Sequence, residues 1–199
     1  MEIAGVVLAA GAGRRYGMPK ALVSYDGELL VQRAAAVLSS LSSVVIVLGA
    51  AGDEVRKAAP SLDYVDNPDW DTGMGSSFRA GLAALSDRFD AAMITLVDMP
   101  GVTPAAVTRI ASFAGPSALV MGGYGDRRGH PVLLGRDHWA GASAAAVGDR
   151  GARDYLRTRD VRVVDVSDVA DDTDLDVPLL DVPPLDVPPL DVPLEADHA

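Results

Sequence analysis

The chain has 199 residues, 49% of them hydrophobic, which is enough for one domain with a sizeable core and too few for two large ones. Its formal net charge of −11 excludes a nucleic-acid footprint spread over the surface, while a local cationic pocket stays open to it. With no cysteine, disulfides, zinc–thiolate sites, iron–sulfur clusters and thiol nucleophiles are excluded, and oxygen-ligated Mg2+ becomes the default metal.

Residues 3–8 are short, apolar and β-branched enough to read as a buried strand. The apolar run breaks at Gly11 and no charged region precedes it, so neither a signal peptide nor a membrane span is expected and a cytoplasmic enzyme fits. The strand delivers Leu8-Ala9-Ala10-Gly11-Ala12-Gly13-Arg14-Arg15-Tyr16-Gly17-Met18-Pro19-Lys20. Its glycines let the backbone close on a bulky anion, and Arg15 and Lys20 add fixed positive charge, which together suit a polyphosphate. Gly11, Gly13 and Gly17 miss the dinucleotide fingerprint by one residue, and Ala21 after Lys20 rules out a P-loop. From the glycines alone, a plain strand-to-helix turn with surface cations stays open.

Helical spacing over 29–41 predicts the first helix, 44–48 a second buried strand, 53–59 a short helix stopped by Pro60, and 62–65 a short third strand. Asn67-Pro68-Asp69-Trp70 is a turn, and Gly73-Met74-Gly75-Ser76-Ser77 leads into a helix over 78–85, where Ser76 or Ser77 is placed either to cap the helix or to face a ligand. Residues 91–97 form the best central strand, ending in Asp98-Met99-Pro100. An acid at the carboxyl end of a buried strand serves stability poorly and a metal well, so Asp98 is the expected Mg2+ ligand, with a turn-starting Asp as the alternative.

A helix over 104–113 follows, with Thr103 as N-cap and Pro104 at its first position. A strand over 117–121 then runs into a polar, glycine-rich hairpin, 122–131, laid over one edge of the site before a strand at 132–134. His130 in that hairpin has only His138 and His198 as fellows, so it reads as a substrate contact and not as a base or a metal ligand. A helix over 148–156, with Asp149 as N-cap, and a strand over 161–166 complete the body. From Leu175 a five-residue Leu-Asp-Val-Pro repeat is too rich in proline for helix or sheet interior. It reads as a flexible acidic appendage, with docking on the body or on a partner as the alternative, so the division expected is a domain over 1–174 and a tail over 175–199.

The pattern L-A-A-G-x-G-x-R-x-G-x-P-K over 8–20 resembles the signature of the MobA/MocA-like nucleotidyltransferases, which attach a nucleotide to the molybdopterin cofactor. The resemblance extends to a second motif over 67–77, to D-x-P at Asp98, to Gly-His-Pro at His130, to G-D-x-G-A-R from Gly148, and to the end of a D-x-D-T motif at Asp171-Asp172-Thr173, where Ala170 replaces the first acid. It implies a three-layer α/β/α, Rossmann-like nucleotidyltransferase fold with a mostly parallel sheet. Leu8, Ala9, Ala10, Gly11, Gly13, Gly75 and Ser77 would then bind the nucleotide, Arg15 and Lys20 its phosphates, and Asp98 and Asp172 the metal. Asn67, His130 and Asp149 would face the acceptor.

The implied reaction moves a nucleoside monophosphate from the triphosphate to a phosphorylated acceptor, molybdopterin being favoured and a sugar phosphate the alternative. An acceptor phosphate is already ionised, so positioning and charge neutralisation suffice without a protein base. Ala10, where the guanylyl branch carries Gly, favours CTP over GTP. A non-catalytic nucleotide-binding or cofactor-handling protein is the second class, its tail recruiting a partner such as a molybdoenzyme or chaperone. NAD-dependent redox chemistry is disfavoured, because the glycine spacing is wrong and no acid ends the second strand at Gly49.

Overall fold

The computed structural model describes residues 1–176, so the part of the repeat from 177 to 199 lies outside the described residues. In chain order the elements are β1 (Ile3–Leu8), the small hairpin β2 (Ser24–Tyr25) and β3 (Glu28–Leu29), α1 (Leu30–Val37), β4 (Ser43–Leu48), α2 (Gly52–Ala58), β5 (Tyr64–Asp66) and α3 (Met74–Ala83). They continue with β6 (Ala91–Leu96), α4 (Pro104–Ala111), β7 (Leu119–Tyr124), β8 (Arg127–Gly135), α5 (Trp139–Ala145), α6 (Arg153–Arg157) and β9 (Arg162–Asp165). Among the described residues no helix is long and apolar enough to cross a membrane.

The main sheet has seven strands in the order β5-β4-β1-β6-β8-β7-β9. All its pairings are parallel except those of β8, which runs antiparallel to both β6 and β7. Side chains along the central strands alternate between two cores, as the two-residue period of a strand requires. Val7 and Met93 face a core shared with Leu30 and Val31 of α1, Val55 of α2 and Ile110 of α4. Val6, Leu8 and Ile94 face the opposite one, with Phe78 and Leu82 of α3, Trp139 of α5 and Leu156 of α6. The molecule is therefore a three-layer α/β/α sandwich with a mostly parallel sheet.

The differences from the sequence-based boundaries have local causes. α1 ends at Val37 because Leu38 leaves helical geometry (φ −93°, ψ 1°) and the chain must turn at once into β4. α3 begins at Met74 with Gly73 as N-cap, so Ser76 and Ser77 do not cap it; both are buried inside its first turns. Thr103 does cap α4, accepting from the Ala106 N–H at 3.3 Å. Asp149 caps nothing: it lies in a single 3-10 turn, Gly148–Arg150, and α6 starts after Ala152. The short helix α5, rich in Ala, Gly and Ser, had no apolar periodicity to announce it.

Candidate active site

β1 and β6 are neighbours with Leu8 opposite Leu96, so the glycine loop after β1 and Asp98 after β6 leave the sheet side by side at its carboxyl end. The loop turns on Gly13, whose φ of +61° favours glycine, and a Cβ there would stand 1.8 Å from the Met18 carbonyl oxygen. The Gly17 N–H closes the turn onto the Gly13 carbonyl at 2.8 Å. The result is a cleft of about 500 Å³. Its walls include Leu8, Ala10, Gly11, Gly13, Arg15, Lys20, Ser77, Asp98 and Asp149 of the residues expected from sequence.

Lys20 is the electrostatic centre of this cleft. Its Nζ donates to Asp98 Oδ2 at 2.7 Å and to Asp176 Oδ1 at 3.2 Å, and its side chain is 15% exposed. Burial pulls its pKa down, but the hydrogen bonds and charges of Asp98 and Asp176 more than reverse this, so the ammonium is held above its ordinary value. Arg15, largely exposed, reaches Asp176 Oδ2 at 3.6 Å. Trp70 closes one side of the cleft, and Gly49 lies so near it that a Cβ would come within 2.4 Å of the Trp70 side chain.

A second cavity of about 800 Å³ opens beside the first and shares Leu8, Met74, Leu96 and Asp149 with it. Met74, Phe78, Met99 and Met121 give it an apolar wall, and Arg127, Arg128, Arg150, Arg153 and Arg157 supply its positive charge. His130 lies in this cavity, its Nδ1 3.1 Å from the Ile94 carbonyl oxygen. A carbonyl only accepts, so the proton sits on Nδ1 and Nε2 carries the lone pair. Burial lowers the His130 pKa, against a smaller opposing pull from the Ile94 carbonyl and Asp98.

Four expected site residues are placed elsewhere. Ala9 is buried in the core and donates its N–H to Val47, so it does not line the cleft. Gly75 packs under the backbone of Ala146 and Val147. Asn67, 4% exposed, spends Nδ2 on Ser76 Oγ (2.8 Å) and Ser77 Oγ (3.0 Å) and Oδ1 on the Asp69 N–H (3.1 Å); it braces the start of α3 and lines neither cavity.

Asp172 lies in the second cavity, bound to Arg127 at 2.7 Å, and not with Asp98 in the first. Asp98 and Asp172 thus line different cavities, and each carries its own cation, Lys20 on Asp98 and Arg127 on Asp172. Tyr124 nearby is pushed up to about 12 by burial and by the charges of Asp172 and Asp171. Among the described residues no three His, Asp or Glu side chains gather as a metal cage. A Mg2+ held by one carboxylate, phosphate oxygens and water needs no such cage, so Asp98 suits it.

Sequence reasoning missed Trp70, Asp176 and the arginines of the second cavity. The adjacent Arg127-Arg128 in a polar hairpin was a usable signal, and so for Asp176 was the D-x-D spacing of Asp174-Leu175-Asp176.

The family described as MobA-like NTP transferase domain matches residues 5–163. Nicotine blue oxidoreductase of Paenarthrobacter nicotinovorans is 37% identical over 188 residues, covering 87% of this chain and 92% of that protein. The molybdenum cofactor guanylyltransferase of Rhodobacter capsulatus is 34% identical over 145 residues, 71% of this chain and 68% of its own. Among solved structures, Rv0371c of Mycobacterium tuberculosis H37Rv in complex with manganese superposes with a TM-score of 0.71 at 30% identity, covering 83% of this chain and 89% of that one. With the matched family spanning both the glycine loop and the acid after β6, the chain belongs to the MobA-like NTP transferase domain family.

Proposed function

We propose that the first cleft holds a nucleoside triphosphate and the second a phosphorylated acceptor, and that the chain transfers the nucleoside monophosphate between them. The observation that carries this is continuity: a lysine and an acid at adjacent strand ends share one cleft, and an arginine-rich cavity opens into it through Leu8, Met74, Leu96 and Asp149. An acceptor phosphate oxygen attacks the α-phosphorus, the bond to the β-phosphate breaks, and pyrophosphate leaves with the electron pair. Lys20 and Arg15 neutralise the triphosphate and the charge that develops on the leaving group. Arginines of the second cavity hold the acceptor's anionic group, while its Met and Phe wall receives the acceptor's body. Asp98 would hold a divalent cation, Mg2+ by its oxygen donor, whose chemistry is further charge neutralisation on the phosphates. Manganese in the Rv0371c complex is in keeping with such a cation.

Molybdopterin is the acceptor this reading favours. For the donor, Ala10 points to CTP, but the molybdenum cofactor relative is named a guanylyltransferase and lends that preference no support. Pyrophosphate release with molybdopterin and either CTP or GTP tests the reaction and ranks the donors. Lys20→Ala is expected to lower kcat by about 10²- to 10³-fold, the size of losing one preorganised charge contact, with the thermal midpoint little changed. Near-normal turnover in that variant would refute the assignment.

One observation favours a second reading. The relative that matches nearly end to end is named an oxidoreductase, and the Met- and Phe-walled cavity would also take an apolar substrate body. Redox turnover of nicotine blue, and no pyrophosphate from either triphosphate, would establish it in place of transfer.

A further inference from the structure

The five-residue repeat is the motif of this sequence that the proposed reaction leaves without a role. Outside the described residues it continues with Leu180-Asp181-Val182, Leu185-Asp186-Val187 and Leu190-Asp191-Val192, and the stretch 177–199 also holds Glu195 and Asp197 but no lysine or arginine. Each unit offers one carboxylate between two branched apolar side chains. The prolines around it withhold the unit from helix and sheet interior, so both kinds of side chain stay available to another surface.

The second cavity presents the complement of such a unit. Its wall of Met and Phe is apolar, and methionine adapts its shape to what it meets. Of its arginines, Arg127 is paired with Asp172 and Arg150 with Asp154, whereas among the described residues Arg128, Arg153 and Arg157 meet no carboxylate. Position favours the same encounter. The chain lines the second cavity with Asp172 and Asp174 and the first cleft with Asp176, so the repeat sets out where the two adjoin. In extended form one repeat spans about 15 Å, and a cavity next door lies within reach of the first few units.

We propose that a Leu-Asp-Val unit of residues 177–199 docks in the second cavity of its own chain, its carboxylate among Arg128, Arg153 and Arg157 and its Leu and Val on the Met and Phe wall. A segment tethered this closely faces the cavity at an effective concentration on the order of millimolar, so a unit of only millimolar affinity fills it about half the time. Equivalent units in series raise that occupancy without any one strong contact. The consequence for turnover rests on the acceptor reading of this cavity: a phosphorylated acceptor must displace the tail before its own anion reaches the arginines. The docking itself does not need that reading.

With no cysteine elsewhere, Pro184→Cys gives the full chain a single attachment point for a nitroxide, between two units. In amide NMR spectra the label is expected to broaden Gly129, Gly151 and Arg153 at the second cavity and to leave β5, at the far edge of the sheet, sharp. Asp181→Asn, Asp186→Asn and Asp191→Asn combined are expected to abolish the broadening, and so is Arg153→Glu with Arg157→Glu. No broadening at the cavity, or broadening that survives both sets of changes, would overturn the proposal. Broadening of an isotope-enriched unlabelled chain by a labelled one would overturn it too, since the tail would then dock on a second copy. In steady-state kinetics with molybdopterin, the triple Asn variant is expected to lower the acceptor KM by about 2- to 10-fold, the setback a tethered ligand imposes, with the triphosphate KM unchanged. An unchanged acceptor KM would overturn the competition. Failure of the acceptor reading looks different: no pyrophosphate is released while the charge-dependent broadening persists, and the docking stands without the competition.

Discussion

At the scale of single residues, identity told less than surroundings. Asn67 and His130 were both expected at the acceptor; the fold spends both polar side-chain atoms of Asn67 on α3 and the turn before it, and leaves one nitrogen of His130 for the cavity. The His130 proton has a measurable consequence. Its folded pKa is lowered from the ordinary 6.5 by burial, so below about pH 6.5 the unfolded chain takes up a proton that the folded chain refuses. Stability should therefore be fully kept above that pH and lost as the pH falls below it. In urea titrations at about pH 7.5 and about pH 5.5, His130→Gln is expected to show a smaller drop in midpoint than wild type. An equal drop would mean that other groups carry the acid sensitivity.

Elements were legible where the apolar period was clean, and blurred where glycine and serine take part in a helix. β1, β4 and β6 are continuous apolar runs because both faces of the sheet are covered, and their bounds came within a residue of the sequence expectation. The first turns of α3 read as a polar loop, yet Gly75, Ser76 and Ser77 are buried there. Gly75 owes its place to packing, since a Cβ would come within 2.7 Å of the Ala146 carbonyl oxygen. An ordinary Gly→Ala change inside a helix stabilises by about 0.5 to 1 kcal/mol. Gly75→Ala is expected to reverse that sign and lower the thermal midpoint, because the obstacle is backbone and cannot rotate away. A raised midpoint would show that the loop of Ala146 and Val147 yields freely.

For the whole molecule, a chain of net charge −11 concentrates cations around two adjoining cavities. If the cavities serve separate substrates, their kinetic constants should separate too. Arg153→Glu, on an exposed position of α6 in the second cavity, is expected to raise the acceptor KM by about tenfold, the size of one charge-assisted contact, with the triphosphate KM held within a factor of about two. Steady-state kinetics with each substrate varied in turn reads this directly, and a parallel rise in both constants would count against two sites.

Sequence alone determined the layered fold and the signature loop, because apolar period and a glycine pattern are local properties that a linear chain displays. It also placed Asp98, since an acid after a buried strand stands out from its neighbours. Tertiary structure alone decided which acid joins Lys20, for Asp172 and Asp176 lie in one acidic stretch and only the course of the chain along Gly101 and Thr103 carries one to Arg127 and the other to the glycine loop. The loop with which the chain begins its chemistry thus has a partner from the start of its repeat, a contact between residues 156 positions apart that only folding brings together.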